Sequence, residues 1–363
     1  MKPFARIGLA GALVLAVVVL AAWINRDRIA EDIYLRRAVW GMRPQPLADI
    51  PDGLSVGLCG AGSPLPDPTR AGPCTLVLAG QQLFEVDSGQ GSAKVMQLMG
   101  FAPARVDALF LTHYHSDHIA DLGELMLQHW AGGAAKAPLP IYGPTGLEQV
   151  LDGFEAAYQL DRGYRIAHHG PRIVPPSGFG GTAHVFPMPT GGPDQTLIDT
   201  PDLKVIAFPV DHRPVEPAVG YLFIYKGRRV VVSGDTAPSP RLEAEARDAD
   251  VLVHEGLSPR LLALQRQAAV RDGRWNVAQI SRDILSYHTT PEDAAKIAAG
   301  AHVRMLVFTH VIPPVPSPLL NRLYLGEAPK IFSGPIRVGR DGDLIELPAG
   351  TTEIRVTRRL TSY

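Results

Sequence analysis

Short apolar runs bounded by glycine and proline alternate with stretches of helical apolar spacing through most of the chain. In the first half this pattern predicts strands at Leu54–Cys59, Thr75–Ala79, Leu83–Val86, Ala108–Leu111 and Pro140–Gly143, and helices at Ala93–Met99, Ile119–Trp130 and Leu147–Tyr158. The second half repeats it, with a helix over Pro291–Ala299 and strands at Leu203–Pro209, Val219–Tyr225, Arg229–Val232, Val251–Val253 and Met305–Phe308. Between the halves, Gly163–Pro201 is rich in glycine, proline and threonine, which predicts long loops with one hairpin. The whole pattern predicts an α/β protein in which two sheets pack face to face beneath covering helices.

The N-terminus carries an unbroken apolar run from Ile7 to Ile24, preceded by Lys2 and Arg6. This layout is typical of a signal peptide or an uncleaved signal anchor. It divides the chain into residues 1–24 as the signal segment, 25–50 as a linker and 51–363 as one catalytic domain. We therefore expect an exported protein, either secreted or held at the periplasmic face of the inner membrane through residues 7–24.

Acidic and basic residues are nearly balanced, with 36 Asp and Glu against 35 Lys and Arg, which gives a formal net charge of −1. No overall field therefore attracts a polyanion, and this argues against nucleic acid as a partner. The two cysteines, Cys59 and Cys74, flank a Gly/Pro-rich turn and either form a disulfide across it or remain buried thiols.

One loop concentrates metal-ligand side chains directly after the fourth predicted strand. It contains His113, His115, Asp117 and His118. Imidazoles and a carboxylate suit Zn²⁺ or a similar divalent ion. Because four such side chains crowd a single ion, the run predicts a pair of ions roughly 3.5–4 Å apart. The alternative, a surface loop that happens to be rich in histidine, is disfavoured by the position of the run after a buried strand.

Further candidate ligands and catalytic groups follow the ends of later predicted strands or begin a helix. They are His212, Asp235, Glu255, His288 and His310. Singly, each has an ordinary interpretation as a packed histidine, a turn former, a salt-bridge residue or a helix-start residue. Their joint occurrence in this order favours one functional site.

Together the HxHxDH run, the Asp87-Ser88-Gly89 turn and the later candidates resemble the metallo-β-lactamase superfamily, in the branch that contains tRNase Z and the metal-dependent arylsulfatases. The resemblance extends over about residues 54–347. It implies a four-layer αβ/βα sandwich with a dinuclear Zn²⁺ site at one edge, with Mn²⁺ or Fe²⁺ as alternative ions. It also implies the metal ligands, namely His113, His115 and His212 for the first ion, Asp117, His118 and His310 for the second, and Asp235 as the bridge.

The same resemblance implies an ester hydrolase whose nucleophile is a hydroxide generated between the two metals. The bridging Asp235 separates this chain from zinc β-lactamases, which lack it. The candidate catalytic residues are Asp117, Glu255 and His288. His288 and Glu255 match a dyad in which the carboxylate orients and charges the imidazole, which then protonates the leaving group. One departure is that the family's His-Glu-Ala-Thr type motif reads His254-Glu255-Gly256-Leu257 here.

The substrate prediction depends on the interval between His212 and Asp235. True tRNase Z enzymes carry a long basic arm there, whereas this chain has only Arg213–Gly234, which two predicted strands fill. We therefore expect a small-molecule sulfate or phosphate ester, as on the arylsulfatase-like side of the branch, and leave homodimerisation open. Arg274 and Trp275, in an insertion after the Glu255 motif, are candidates for lining the leaving-group pocket. The alternatives are a tRNA 3′-processing endoribonuclease and a catalytically silent, membrane-tethered metal-binding protein.

Overall fold

The computed structural model describes residues 3–42, 47–189 and 191–360, and the chain divides into two units, Met1–Gln45 and Pro46–Tyr363. The first unit contains the helices α1 (Pro3–Ile24) and α2 (Arg26–Met42). A membrane span requires about 20 consecutive apolar residues, and no helix in the described ranges is long and apolar enough to meet this requirement. The spanning helix expected over residues 7–24 is therefore not found.

Two mixed sheets form the second unit. Their strands are β1 (Gly53–Gly60), β2 (Cys74–Ala79), β3 (Gln82–Val86), β4 (Ala108–Phe110), β5 (Leu139–Pro144), β6 (Gly181–Phe186), β7 (Gln195–Asp199), β8 (Leu203–Pro209), β9 (Val219–Tyr225), β10 (Arg228–Val232), β11 (Val251–Leu257), β12 (Leu306–Ile312), β13 (Ile336–Val338), β14 (Asp343–Pro348) and β15 (Arg355–Arg358). The first sheet has the order β15-β14-β1-β2-β3-β4-β5-β6, and the second has the order β13-β12-β11-β10-β9-β8-β7. Strands β3 to β6 are parallel, as are β10 to β13, and the other pairs are antiparallel.

Helices cover the outer face of each sheet. They are α3 (Ser92–Leu98), α4 (Ser116–Ile119), α5 (Leu122–Leu127), α6 (Leu147–His169), α7 (Pro240–Glu245), α8 (Pro259–Arg271), α9 (Trp275–Asp283), α10 (Pro291–Gly300), α11 (Asn321–Leu325) and α12 (Ala328–Ile331). Apolar residues of α3, α5 and α6 pack on the first sheet, and those of α7, α10, α11 and α12 pack on the second.

Between the sheets lies a third apolar layer. The Phe223 ring of the second sheet lies 6.2 Å from Phe84 and 5.6 Å from Phe110 of the first, centroid to centroid. Burying each such side chain contributes roughly 1.5–3 kcal/mol relative to leaving it exposed. The order of layers is helix, sheet, sheet, helix, so the predicted αβ/βα sandwich is confirmed.

Strand direction places the candidate residues at one edge of each sheet. In the first sheet, the parallel strands β3 and β4 end just before Asp87 and the histidine-rich loop. In the second sheet, β8, β10, β11 and β12 all run the same way, and they carry or precede His212, Asp235, Glu255 and His310. Because the carboxyl ends of strands with the same direction lie at one sheet edge, loops from both sheets can meet over a common site.

Two regions differ from the sequence-based expectation. Helix α6 continues to His169, well into the segment predicted as loops, because its last turns lack the apolar stripe from which a helix is recognised. The expected hairpin in that segment is instead two edge strands, β6 in the first sheet and β7 in the second. After the Glu255 motif, the insertion forms a helical hairpin of α8 and α9.

Cys59 and Cys74 form a disulfide between β1 and β2, with their Cα atoms 5.0 Å apart. Of the two states that the sequence left open, this structure has the oxidised one. The bridge joins the strand ends from which the long β1–β2 loop leaves.

A buried carboxyl group also holds the β1–β2 loop. Asp341 accepts hydrogen bonds from the backbone N–H of Ala61 at Oδ1 (3.0 Å) and of Ala71 at Oδ2 (2.7 Å). The residue is 3% exposed. Burial raises the pKa of Asp341 to about 7, although these two hydrogen bonds oppose the shift.

Asp341 should make the stability of the protein depend on pH. Its pKa is about 7 in the folded state and about 3.9 in an unfolded chain. Below about pH 4 the carboxyl group is protonated in both states. Between about pH 4 and pH 7 the folded protein keeps the proton that the unfolded chain has released, so folding takes up a proton and becomes less favourable as the pH rises. The free energy of unfolding should fall across this window by up to about 1.4 kcal/mol per pH unit.

Asp341→Asn should flatten this slope, because an amide does not titrate. Urea unfolding of both proteins at several pH values between 5 and 7 measures the difference. Equal slopes in the two proteins would show that Asp341 is not the group responsible.

Candidate metal centre

The histidine-rich loop leaves β4 after Phe110 and enters α4 at Ser116. Its short path brings His113 Nε2 within 3.0 Å of His115 Nδ1. His212 arrives from the end of β8 and places its Nε2 3.4 Å from the same His115 atom. These three imidazoles form the first cluster.

A second cluster beside it consists of Asp117, His118 and His310. Asp117 Oδ2 lies 3.6 Å from His118 Nε2 and 3.2 Å from His310 Nε2. Asp235 follows β10 and reaches both clusters. Its Oδ2 lies 3.2 Å from His310 Nε2 and 3.4 Å from His118 Nε2. The same oxygen lies 3.9 Å from His212 Nε2 in the first cluster, so all the predicted ligands converge around Asp235.

The donor atoms of these clusters fit a divalent cation. In a tetrahedral site with bonds of 2.0–2.1 Å, ligand atoms lie roughly 3.3 Å apart, and the spacings within the clusters are 3.0, 3.2, 3.4 and 3.6 Å. His118 Nε2 and Asp235 Oδ1 are buried and have no hydrogen-bond partner in the described part of the chain. Such atoms are costly to bury unless a ligand binds them.

Asp87, immediately after β3, orients two of the imidazoles. Its Oδ2 accepts a hydrogen bond from His118 Nδ1 (2.8 Å) and another from Thr112 Oγ1 (2.8 Å). Because the Thr112 hydroxyl donates to this carboxylate, it accepts from His113 Nδ1 at 3.0 Å. With the proton on Nδ1 of both rings, each Nε2 keeps its lone pair for a metal.

The sequence predicts no role for Asp87, Thr112 or Tyr287. The carbonyl oxygen of Tyr287 accepts a hydrogen bond from His212 Nδ1 at 3.0 Å, and a main-chain acceptor leaves no signal in the sequence. Asp87 did have a signal, since a charged residue in an Asp-Ser-Gly turn after a buried strand requires a partner.

Local backbone geometry aims two of the ligands. The register between β11 and β12 shifts at His310, which is left in a bulge with a φ of 46°. This conformation costs a non-glycine residue roughly 1–3 kcal/mol, and it turns the ring towards Asp117 and Asp235. Gly234 has a φ of 61°, and a Cβ there would lie 2.5 Å from the Val219 carbonyl oxygen. The turn that delivers Asp235 therefore requires glycine.

The charge distribution favours an additional cation. Burial alone would raise the pKa of Asp117, but His118 and His310 lower it to about 2. The same two imidazoles hold the pKa of Asp235 well below its usual range despite its burial. Burial lowers the pKa of His113 well below its usual range, which keeps it a neutral ligand. His118 is surrounded by carboxylates that raise its pKa against the effect of burial, so positive charge is stabilised at that point.

His288 and Glu255 are in contact beside both clusters. Glu255 Oε1 accepts hydrogen bonds from His288 Nδ1 at 3.2 Å and from the backbone N–H of Thr289 at 2.7 Å. The His288 ring lies 5.2 Å from that of His212 and 5.5 Å from that of His310. Burial would lower the pKa of His288, but the Glu255 carboxylate raises it. The departure from the family motif after Glu255 does not prevent this contact.

A groove of about 830 Å³ lies beside Asp117. Its walls include the loop of residues 63–72, Lys94 and Ser116. Trp275, a sequence candidate for the leaving-group pocket, is not among the residues that line this groove and is 68% exposed. This groove is therefore formed mainly by the first half of the chain.

Comparisons with known proteins agree with this geometry. Residues 95–311 match the model of the β-lactamase superfamily domain. Ribonuclease Z from Mycobacterium bovis is 38% identical over 296 residues, which covers 81% of this chain and 98% of that protein. Ribonuclease Z from Mycobacterium marinum is 36% identical over 298 residues, covering 82% of this chain and 99% of that protein.

Solved structures with the same fold include YhfI, a metallo-β-lactamase fold protein from Bacillus subtilis, with 21% identity and a TM-score of 0.56 over 80% of this chain and 98% of that one. The short form of human tRNase Z has 22% identity and a TM-score of 0.54 over 81% of this chain and 99% of that one. At these identities the likeness concerns the fold.

These findings correct three expectations. The near-neutral net charge argued for a small-molecule substrate and against nucleic acid, yet relatives over 81% of the chain are named for an activity on RNA. A net charge averages over the whole surface and does not describe the charge near a site. The preference for an arylsulfatase-like enzyme also lacks support, because these relatives are named ribonuclease Z. The expected export and membrane attachment are contradicted by these relatives and by the absence, over the described ranges, of a helix able to span a membrane.

The predicted resemblance is confirmed by the domain match, by the relatives and by the fold. The protein is a metal-dependent hydrolase that acts on ester bonds. The chain belongs to the β-lactamase superfamily, in the branch that contains ribonuclease Z.

Proposed function

We propose that this chain is a zinc-dependent endoribonuclease that hydrolyses a phosphodiester bond at the 3′ end of a tRNA precursor. The observation that carries the proposal is the 38% identity to ribonuclease Z over 98% of that relative's length. The convergence of the predicted ligands on Asp235 supports it, because a carboxylate shared by two ions suits phosphodiester cleavage.

We assign two Zn²⁺ ions to the clusters described above. His113, His115 and His212 would hold the first, Asp117, His118 and His310 would hold the second, and Asp235 would contribute to both. When bound, the ions supply a water that ionises near neutral pH and offset the negative charge of the phosphoryl group. Asp117, which stays ionised, borders the groove and accepts a hydrogen bond from the attacking water, so that it orients the nucleophile.

His288 donates the proton that the leaving group requires. As the new P–O bond forms, the P–O bond to the ribose oxygen breaks, and that oxygen departs as an alcohol once it is protonated. Glu255 holds His288 at Nδ1, which leaves Nε2 free to donate a proton to the departing oxygen. The products are an alcohol and a phosphate monoester.

Cleavage of a labelled tRNA precursor, with and without a chelator, tests the proposal. The protein should release a single 3′ trailer, lose this activity with the chelator, and contain about two metal ions per chain by elemental analysis. Asp235→Asn should lower the metal content and reduce kcat/KM by more than the 10–100-fold typical of losing an outer-shell partner.

The matched control is Asp211→Asn. Asp211 lies one residue before His212 but pairs with Arg213, 2.6 Å away, and is not a member of either ligand cluster. Its replacement should leave metal content and activity unchanged. Intact tRNA precursor after incubation with the fully metal-loaded wild type would refute the proposed function.

Asp87 should affect metal binding without being a ligand. Asp87→Asn removes the charge that holds Nδ1 of His118 and, through Thr112, of His113. We expect 10–100-fold weaker zinc affinity in competition with a chromogenic chelator. Asp107→Ala is the control, because among the described residues that carboxylate accepts a hydrogen bond from the backbone N–H of Leu83 at 2.8 Å and from no ligand imidazole. An affinity for zinc equal to that of the wild type would mean that Asp87 has only a structural role.

The proposed role of His288 depends on the leaving group. His288→Ala should reduce tRNA cleavage by on the order of 10²–10⁴-fold, because a ribose alcohol needs a proton to depart. Turnover of bis(p-nitrophenyl) phosphate should change far less, since p-nitrophenolate leaves without protonation. Glu255→Gln should show the same selectivity in milder form. Equal losses on both substrates would indicate that His288 is needed for the site as a whole and not for proton donation.

A further inference from the structure

We propose that the helical hairpin of residues 258–287, formed by α8 and α9, is the surface on which this enzyme docks its RNA substrate. The proposal rests on the ribonuclease function proposed above and extends it to substrate binding. It concerns a surface outside the ligand clusters and outside the groove beside Asp117.

Local charge on the hairpin differs from that of the whole chain. Its only acidic residues are Asp272 and Asp283, whereas its basic residues are Arg260, Arg266, Arg271, Arg274 and Arg282. This is an excess of three positive charges in a chain whose net charge is −1. Within the described ranges none of these arginines forms an ion pair with an acidic side chain, so their guanidinium groups are available to phosphates.

The tip of the hairpin combines this charge with an exposed aromatic ring. Gly273 forms the turn between the helices, and Arg271, Arg274 and Trp275 surround it. Trp275 is 68% exposed. An indole that faces solvent between guanidinium groups suits single-stranded nucleic acid, because bases stack on the ring while the arginines neutralise the backbone.

The base of the hairpin is attached to the metal centre. A small apolar cluster holds it against the ends of β11 and β12, formed by Leu257, Leu262, Ile284 and Ile312. Its last residue, Tyr287, accepts the hydrogen bond from His212 and directly precedes His288. Helix α8 has 13 residues and is therefore about 20 Å long, so an RNA strand in the site can meet the arginines along the hairpin.

Charge complementarity favours RNA over a second copy of the chain as the occupant. Two copies packed through this surface would oppose like charges, whereas an RNA backbone carries a negative charge at every nucleotide. The exposed apolar side chains of the hairpin, including Leu264 and Ile280, are compatible with either partner, and the test below therefore separates the two.

The test compares the holoenzyme with a triple variant, Arg271→Ala, Arg274→Ala and Trp275→Ala. The first measurement is the inhibition constant of a tRNA precursor against turnover of bis(p-nitrophenyl) phosphate, which reports tRNA binding whether or not the tRNA is cleaved. The second is kcat/KM for cleavage of that tRNA as a function of salt. The control variant replaces Arg105 and Arg247, two exposed arginines outside the hairpin, by alanine.

We expect the triple variant to keep small-diester turnover within about twofold of the wild type, which shows that the site is folded. Its inhibition constant for tRNA should rise about 10–100-fold, and the dependence of log affinity on log salt should become shallower by roughly 1.5, as for the loss of two phosphate contacts. A conservative variant with Arg271→Lys, Arg274→Lys and Trp275→Phe should keep most of the binding. The control variant should match the wild type.

Unchanged inhibition and unchanged salt dependence would overturn the inference, even if the wild type cleaves the tRNA. If the tRNA inhibits the wild type but is not cleaved, the proposed function fails, and the inhibition constants still decide the role of the hairpin. A wild type that tRNA does not inhibit refutes both. A wild-type dimer in light scattering that becomes a monomer in the variant, with tRNA inhibition unchanged, would overturn the inference in favour of a protein interface.

Discussion

The buried carboxylate of Asp235 is the constraint on which the site depends. It is 3% exposed and lies within 4 Å of imidazole nitrogens in both clusters. An isolated ionised carboxylate in such surroundings would cost far more than a domain can tolerate. The imidazoles around it, and a divalent cation when one is bound, supply the opposing charge. The need for opposing positive charge therefore connects the burial of this carboxylate with the capacity of the site to bind a metal ion.

Much of the remaining structure serves to deliver side chains to that point. The packed aromatic layer holds the two sheets face to face. The strand ends that carry the candidate residues therefore lie at neighbouring edges of the two sheets, and loops from both halves of the chain meet there. Two local features complete the geometry, since Gly234 permits a turn that any side chain would block and His310 adopts a left-handed conformation in a bulge. Sheet packing thus sets where the ligand-bearing loops lie, and the backbone conformation of single residues sets where their side chains point.

The ligand set and the sandwich could be predicted because both leave regular signals. The strands at Val219–Tyr225 and Leu203–Pro209 agree with their apolar pattern to the residue, and metal-ligand side chains at strand ends are conspicuous. The end of α6 and the Tyr287 carbonyl have no such signal, because one lacks an apolar stripe and the other acts through the main chain. The substrate class was misjudged from net charge, which hides the local excess of arginine on the α8–α9 hairpin.

Asp87 has a consequence for how the two metal positions relate. One carboxylate oxygen orients His118 of the second cluster directly and His113 of the first through Thr112. The two clusters therefore share one support, and a disturbance of this single carboxylate reaches both of them at once, although they lie on different stretches of the loop.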